Sequence, residues 1–375
     1  MDRRQFLALS SAGLLNLVWN NSIEAKAIKA KSEDYNVVIL GDTHFDAEPA
    51  DIYHSHYNEK IEWLNRVQRA EFKRNGEMWR ERCPRLLHRA ADLVDKNTRM
   101  IFQTGDLIQG DCGNAEVHKQ MLEDVMNRFK TELGGLPFVT VAGNHDIRGT
   151  GAENAYRNYM PARMSRELGK AVTKTTFSFN IGKDAYIFID FNTPDDDEIE
   201  HLLAATVDAR HTFIVVHGPV FPIDDSNCRW FLHGGADEKN TKARHHFRKE
   251  FAKRNAVVLC GHTHRTEFAD WYGDGGHITQ MTTNSVWAKE NLKQYIIDAQ
   301  GPEQYGILRN KITAADNGSK LKDESALFEE YRPGLRRYSH SPAAGSYKMT
   351  VGRKHIAIDF YAGDSRDITH TFRIT

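Results

Sequence analysis

The chain has 375 residues and a formal net charge of −1 at pH 7, and 40% of its residues are hydrophobic and 27% charged. This length suits one large domain with an additional segment, or two domains, and the composition is that of an ordinary globular protein. The near-zero charge excludes a protein that binds nucleic acid or acidic membranes through its overall charge.

Residues 1–27 have the layout of a removable export signal. Arg3 and Arg4 precede an apolar pair, a short and weakly hydrophobic run follows, and a small-x-small sequence occupies residues 25–27. The pattern resembles twin-arginine signals, and it predicts export by that machinery to the periplasm or the extracellular space. The apolar run is too short and too polar to span a bilayer, so we expect no transmembrane anchor. A disordered basic segment or an amphipathic anchor is the alternative.

Five apolar runs further along the chain end in polar residues. Residues 35–40 lead to Gly-Asp-Thr-His, residues 100–104 to Gly-Asp, and residues 137–142 to Gly-Asn-His-Asp. Residues 212–216 lead to His-Gly-Pro, and residues 255–260 lead to Gly-His-Thr-His. The runs are rich in β-branched and aromatic residues, which predicts buried strands. Polar residues beyond the strand ends of an α/β sheet meet at one edge, so the five ends predict one shared site.

Two of these ends carry a pair of candidate ligands two residues apart, Asp42 with His44 and His262 with His264. In an extended backbone, such residues project from the same face, so we expect each pair to act together. A carboxylate and an imidazole on one face form half of a metal site. For either motif alone, a solvated turn is the plainer interpretation.

Helical periodicity predicts a helical insertion at about residues 50–98. Its many arginines indicate a solvated helix pair that covers the sheet, or else a cap that helps to hold an anionic substrate. His54 and His56 precede the insertion and are predicted to lie in a surface loop. Further helices are predicted at residues 114–133, at about 154–168, after Pro194 and around 242–253.

The character of the chain changes near residue 289, so residues 28–288 are predicted to form the main domain and residues 289–375 a β-rich region. Alternating runs near the C-terminus read as antiparallel strands. We expect a small appendage packed on the core, with extension of the main sheets as the alternative.

Four cysteines are present, and their spacing fits no zinc-binding pattern. Cys260 ends a buried run and is expected to be a free core thiol. The sequence alone does not show which of the other three cysteines would form a disulfide.

In their order along the chain, the five motifs resemble those of the calcineurin-like metallophosphoesterases over roughly residues 35–285. The resemblance implies an α/β fold, a four-layer α/β/β/α sandwich, that binds two divalent metal ions. By this resemblance, the first metal is held by Asp42, His44, Asp106 and His264, and the second by Asp106, Asn144, His217 and His262. Carboxylate, amide and imidazole ligands without thiolate suit Mn, Fe or Zn.

The resemblance also implies hydrolysis of a small phosphomonoester or phosphodiester by a hydroxide generated at the metals. His145 would stabilise the transition state or protonate the leaving oxygen. The alternatives are an exported scaffold that has lost its chemistry and a nuclease of the same superfamily. The intact ligand set argues against the first, and the export signal and near-neutral charge argue against the second, so no nucleic-acid partner is expected.

Gln109 departs from the patterns of related enzymes. Purple acid phosphatases have Tyr at this position, and calcineurin-type phosphatases have an Asp that supports the catalytic histidine. Gln109 cannot supply that charge, so we expect Asp111 or Asp146 to orient His145. Arg148 is a candidate phosphate contact, with an ordinary surface arginine as the alternative.

Overall fold

The computed structural model describes residues 34–221, 232–234, 237–285, 297–305 and 329–374 of the chain. The predicted export signal at residues 1–27 lies outside these ranges. Within them, no helix combines the length and the hydrophobicity that a bilayer crossing requires.

The described strands form two sheets. The first sheet contains β1 (Tyr35–Leu40), β2 (Thr98–Gln103), β3 (Phe138–Thr140), β12 (Gly345–Val351), β13 (Ile356–Ala362) and β14 (His370–Ile374). The second contains β4 (Phe177–Ile181), β5 (Asp184–Ile189), β6 (Thr212–Val216), β7 (Val257–Cys260), β8 (Thr266–Gly273), β9 (Gly276–Thr282), β10 (Ile297–Gln300) and β11 (Leu335–Ser341). The strand orders are β14-β13-β12-β1-β2-β3 and β10-β11-β8-β9-β7-β6-β5-β4.

Parallel pairing places the site-bearing strand ends at common edges. β1, β2 and β3 pair in parallel, with Ile39 opposite Phe102, and β5, β6 and β7 do the same in the second sheet. The sheets pack face to face, since the ring of Phe102 lies 5.4 Å from that of Phe188 on β5. The carboxyl ends of parallel strands collect polar groups at one rim, as the sequence predicts.

Helices cover both outer faces. They are α1 (Asp51–His54), α2 (Glu62–Glu81), α3 (Cys83–Asp92), α4 (Ala115–Glu132), α5 (Ala152–Leu168), α6 (Asp196–Ala204) and α7 (Glu238–Lys253). Helices α3, α4 and α5 pack against the first sheet, and α6 and α7 against the second. The predicted α/β/β/α sandwich is therefore confirmed.

Local sequence explains where several helices begin. The side chains of Asn114, Asp195 and Asp237 accept hydrogen bonds from backbone N–H groups in the first turns of α4, α6 and α7. Such caps satisfy donors that have no partner within the helix. The acidic run after Pro194 is thus the start of α6, as predicted. Helices α1, α2 and α3 occupy the segment of the predicted helical insertion.

The C-terminal region is β-rich, as predicted, but it completes both sheets instead of forming an appendage packed on the core. β12 pairs antiparallel with β1, with Val37 opposite Met349. β11 pairs antiparallel with β8, with Phe268 opposite Ser339. Without β12, the buried strand β1 would present unpaired backbone groups at a sheet edge. Extension of the main sheets, the alternative interpretation, is the correct one.

The cysteines that the structure describes are free. Cys83, Cys112 and Cys260 are buried thiols, which confirms the expectation for Cys260. Cys228 lies outside the described residues.

Candidate metal centre

The strand ends bring the predicted ligands together in two groups. The first ligand group contains Asp42, His44, Asp106 and His264, and the second contains Asp106, His217 and His262. Within each group, one side-chain nitrogen or oxygen per residue lies within 4.8 Å of all the others. Because Asp106 belongs to both groups, its carboxylate is placed to bridge two cations.

Asn144 supplies an amide oxygen beside these groups. Its neighbour His145 donates a backbone N–H to Oδ1 of Asp106 at 2.8 Å, which places residue 144 against the shared carboxylate. The Oδ1 atom of Asn144 is buried and accepts no hydrogen bond from the described residues. A buried acceptor without a partner is costly, and a cation removes that cost. The residue therefore fits a metal site.

The backbone at five of the seven candidate ligands is left-handed, not extended. Asp42, His44, Asp106, His262 and His264 have φ angles of 33°, 41°, 50°, 72° and 55°. The expectation that each two-residue pair shares a face through an extended strand is therefore wrong. A left-handed non-glycine residue costs roughly 1–2 kcal/mol, so surrounding contacts must hold these residues in place.

Backbone hydrogen bonds and a close glycine hold this conformation. The N–H of His44 donates to the carbonyl of Asp106 at 2.8 Å, and the N–H of His262 donates to Oδ1 of Asp42 at 2.9 Å. A Cβ at Gly143 would overlap the amide nitrogen of Asp106, so only glycine allows the third strand end to come so close. Contacts between different strand ends thus stabilise the strained backbone conformation.

The histidine rings each point a ring nitrogen into the cluster. His217 donates its Nδ1–H to the carbonyl of Thr104 at 2.9 Å, which leaves Nε2 facing Oδ2 of Asp106 at 3.2 Å. The Nε2 atoms of His44 and His264 are 3.1 Å apart. Two imidazole nitrogens at this distance repel each other unless a proton or a cation lies between them. A partner on the far nitrogen that fixes the tautomer is the usual support of a metal-binding histidine.

Burial and charge prepare the cluster for a cation at neutral pH. Burial raises the pKa of Asp42 to about 8, against the attraction of His217, so this carboxylate needs a proton or a cation nearby. Burial lowers the pKa of His264 to about 4 and that of His44 well below its usual range, so both rings are neutral. Although burial acts the other way, His217 and His145 hold the pKa of Asp106 well below its usual range. Metal ligands of these types must be deprotonated, and Asp106, His44 and His264 already are. Although burial acts the other way, Asp106 and Asp42 raise the pKa of His217 to about 9, so this ring and Asp42 must lose a proton when a cation binds.

His145 belongs to neither ligand group but borders them. Its ring lies edge-on to His44, with 4.5 Å between the ring centroids. Its Nδ1–H donates to the backbone carbonyl of Gln109 at 2.9 Å. The side chain of Gln109 instead accepts a hydrogen bond from Asn75 on α2. The expectation that Asp111 or Asp146 orients this histidine is therefore wrong. Every residue has a backbone carbonyl, so the sequence could not predict that the carbonyl of Gln109 would orient His145.

The two aspartates serve other partners. Asp146 accepts from the N–H groups of Gly143 and Ile108 at 2.8 and 3.1 Å, and so ties two strand ends together. Burial and the charge of Asp106 raise the pKa of Asp146 to about 7. Asp111 instead forms an ion pair with Arg148, whose Nε is 2.7 Å from Oδ2.

Sequence reasoning missed His54 as a part of this region. The side chain is fully buried, not in a surface loop, and stacks on Phe72 with 3.7 Å between ring centroids. Nε2 is 2.9 Å from Asp46 Oδ1, and Nδ1 is 3.2 Å from the carbonyl of Asp111. In the sequence, the burial of His54 is indicated by the helical spacing of Phe72, which places an aromatic ring on the inner face of α2.

The sequence of residues 35–266 matches the calcineurin-like phosphoesterase family model. The chain belongs to the calcineurin-like phosphoesterases. The matched region holds every candidate ligand and His145, whereas β9 to β14 follow it. No protein of curated function matches the sequence.

Solved structures with a TM-score of at least 0.50 to this chain share its fold. The structure of PhoD has a TM-score of 0.52 at 10% identity, and the alignment covers 92% of this chain and 69% of PhoD. Purple acid phosphatase PPD1 from yellow lupin (Lupinus luteus) has a TM-score of 0.50 at 10% identity, covering 92% and 54%. This chain thus spans about half the length of that phosphatase. A dimetal phosphatase from Danio rerio has a TM-score of 0.49 at 9% identity, covering 91% and 98%.

Proposed function

We propose that this protein is a metal-dependent phosphoesterase that hydrolyses a small phosphomonoester or phosphodiester at a centre of two divalent cations. The observation that carries the proposal is the pair of ligand groups that share Asp106. The first cation is assigned to Asp42, His44, Asp106 and His264, and the second to Asp106, Asn144, His217 and His262. Their oxygen and nitrogen donors suit Mn, Fe or Zn.

When bound, the two cations supply Lewis-acid polarisation of the phosphoryl oxygens and a water of lowered pKa. The chain contributes the alignment of the two ligand groups. Asp42 accepts the backbone N–H of His262, a residue of the second group, and Asp106 lies in both groups. The two halves of the site therefore have a fixed separation before substrate arrives, which is how a protein stabilises developing charge without reorganising.

His145 is the proposed catalytic residue at the leaving group. Its Nδ1–H is held by the Gln109 carbonyl, and Nε2, which accepts an N–H from Arg148, is the remaining ring atom that can meet a leaving oxygen. Burial lowers the pKa of this ring to about 3, while the Asp106 carboxylate acts in the opposite direction. A bound phosphate ester adds negative charge beside the ring, which raises the pKa of His145 as Asp106 does and opposes the effect of burial. His145 would then stabilise the transition state or protonate the leaving oxygen.

The direct test is hydrolysis of p-nitrophenyl phosphate and bis-p-nitrophenyl phosphate by protein loaded with Mn, Fe or Zn. We expect release of p-nitrophenol from at least one ester with at least one metal, and loss of activity on chelation. If neither ester is hydrolysed with any of the three metals, the phosphoesterase proposal fails and a non-catalytic metal-binding scaffold takes its place.

We also propose that the protein is exported by a twin-arginine route, on the support of residues 1–27 alone. The test is a fusion of these residues to a reporter that must fold before export. We expect the reporter outside the cytoplasm, and its retention when Arg3 and Arg4 are both replaced by Lys. Export that is unchanged by this replacement would contradict the twin-arginine assignment.

A further inference from the structure

Arg148 lies next to the candidate metal centre without belonging to it. The residue follows the helical turn at His145–Ile147. Its Nη1 donates to Nε2 of His145 at 3.1 Å, and the ring of His145 in turn packs edge-on against that of His44. One imidazole ring therefore separates a guanidinium from the first ligand group.

Asp111 holds this guanidinium from the protein side. The Arg148 Nε lies 2.7 Å from Oδ2 of Asp111, and the side chains are 32% and 10% exposed respectively. The backbones are joined as well, because the N–H of Asp111 donates to the carbonyl of Arg148 at 2.7 Å. A buried carboxylate thus fixes an arginine whose outer part reaches solvent, and an ordinary surface arginine has no such support.

The loop that carries Asp111 is itself anchored. The carbonyl of Asp111 faces Nδ1 of His54 at 3.2 Å, and Asp46 holds the other ring nitrogen at 2.9 Å. A Cβ at Gly110 would overlap the carbonyl of His145, so the loop lies directly against the turn before Arg148. Outside the loop, Gln68 on α2 is 3.5 Å from Nη2 of Arg148. The position of the guanidinium is therefore set before a ligand binds.

A guanidinium in this place distinguishes two kinds of phosphate ester. Its paired N–H groups match the oxygens of a phosphoryl group, and its charge persists at any physiological pH. A phosphomonoester carries up to two negative charges and three strong acceptor oxygens at neutral pH. A phosphodiester has one negative charge, and a second organic group occupies one of those oxygens. A guanidinium held beside the phosphoryl group consequently binds the monoester more strongly than the diester.

We propose that Arg148, positioned by Asp111, binds a non-bridging phosphoryl oxygen of the substrate and makes the site selective for phosphomonoesters over phosphodiesters. This inference rests on the proposed phosphoesterase function. Arg148 touches the substrate and is a catalytic residue in that sense, whereas Asp111 is a positioning residue that acts through it.

The test compares Arg148→Gln with wild type on p-nitrophenyl phosphate and bis-p-nitrophenyl phosphate. A hydrogen bond to a charged group corresponds to about 10- to 150-fold in binding, so we expect kcat/KM for the monoester to fall about 30- to 100-fold. For the diester we expect a fall of less than about fivefold, because that ester lacks the third oxygen. The matched control is Arg80→Gln, an exposed arginine of α2 that pairs with Glu48 and Glu81, and it should change neither value.

Two further measurements separate substrate binding from a structural role. Guanidinium ion added to Arg148→Ala should restore monoester turnover, which a merely misfolded site would not allow. Asp111→Asn should raise KM for the monoester more than it lowers kcat, because the guanidinium remains but loses its fixed position. Equal losses on both esters, or no rescue, would overturn the proposal.

Binding of inorganic phosphate, followed by calorimetry, gives a readout that needs no turnover. We expect Arg148→Gln to bind phosphate about 10- to 100-fold more weakly than wild type. If wild type hydrolyses neither ester, the phosphoesterase function fails, and the phosphate affinities still decide the role of Arg148. Unchanged affinity in that variant would contradict the role.

Discussion

The Nδ1–H of His145 donates to the backbone carbonyl of Gln109 at 2.9 Å. Calcineurin-type phosphatases have an Asp at the position of Gln109, and this chain uses the peptide carbonyl of Gln109 to orient the histidine. A carbonyl fixes the tautomer of the ring as a carboxylate does, but without a full negative charge to favour the imidazolium. The catalytic assignment of His145 can therefore be separated from the identity of the side chain at position 109.

Replacement of His145 by Ala should slow turnover without emptying the metal site. The residue lies beside both ligand groups and in neither. We expect kcat to fall by about 10²- to 10⁴-fold, the usual contribution of a general acid or base. Elemental analysis should find the wild-type metal content, and a variant that loses its metal would contradict the assignment.

Replacement of Asn144 or His217 by Ala should remove a ligand of the second cation. Activity should fall by at least about 10- to 100-fold, the loss typical of residues that only support a ligand. Metal content should drop by about half, because the first ligand group stays intact. His88, an exposed histidine of α3, is the matched control for His217. Full activity in either ligand variant would contradict the two-metal assignment.

Replacement of Gln109 by Ala should affect stability more than catalysis. The change removes the acceptor of the Asn75 side chain, which is fully buried, and a buried donor left without its partner costs about 1–3 kcal/mol. The carbonyl that holds His145 remains, so kcat should stay within about tenfold, a barrier change below about 1.4 kcal/mol. Denaturant unfolding and steady-state kinetics measure the two effects. A loss of kcat as large as that in His145→Ala would show that the side chain of Gln109 matters to the chemistry.

His118 should make the folded protein sensitive to acid. This buried ring donates from Nε2 to the carbonyl of Asp146, and burial lowers its pKa to about 4. In the unfolded chain the pKa is about 6.5, so the unfolded state binds the proton first as the pH falls. The part of the unfolding free energy that depends on neutral His118 is therefore fully present above pH 6.5. It declines between about pH 6.5 and 4, by about 3 kcal/mol in total.

The variant His118→Gln tests this dependence. A glutamine can still donate to the carbonyl of Asp146 but does not titrate. Urea unfolding at pH 7 and pH 4.5 should show a smaller loss of unfolding free energy in the variant than in wild type. Equal losses in the two proteins would show that His118 does not carry the effect.

Local sequence determined the existence of the strands, the chemistry of their ends and the family. Alternating and continuous apolar runs predict strands because burial depends on the pattern of neighbouring side chains. The sequence indicates a metal site through Asp106, Asn144 and the histidines at residues 262 and 264. The residue type alone determines which donor atom each side chain offers. These properties need no knowledge of distant residues.

Only the tertiary structure decided how those ends are held. The pairing of β12 with β1 and the contact between His145 and the Gln109 carbonyl join segments that are far apart in sequence. The same is true of the ion pair between Arg148 and Asp111. Asp42 and His264 have a left-handed backbone, which contacts with other strand ends stabilise. A backbone carbonyl is common to every residue and strained φ angles persist only where distant contacts support them, so no local pattern encodes either.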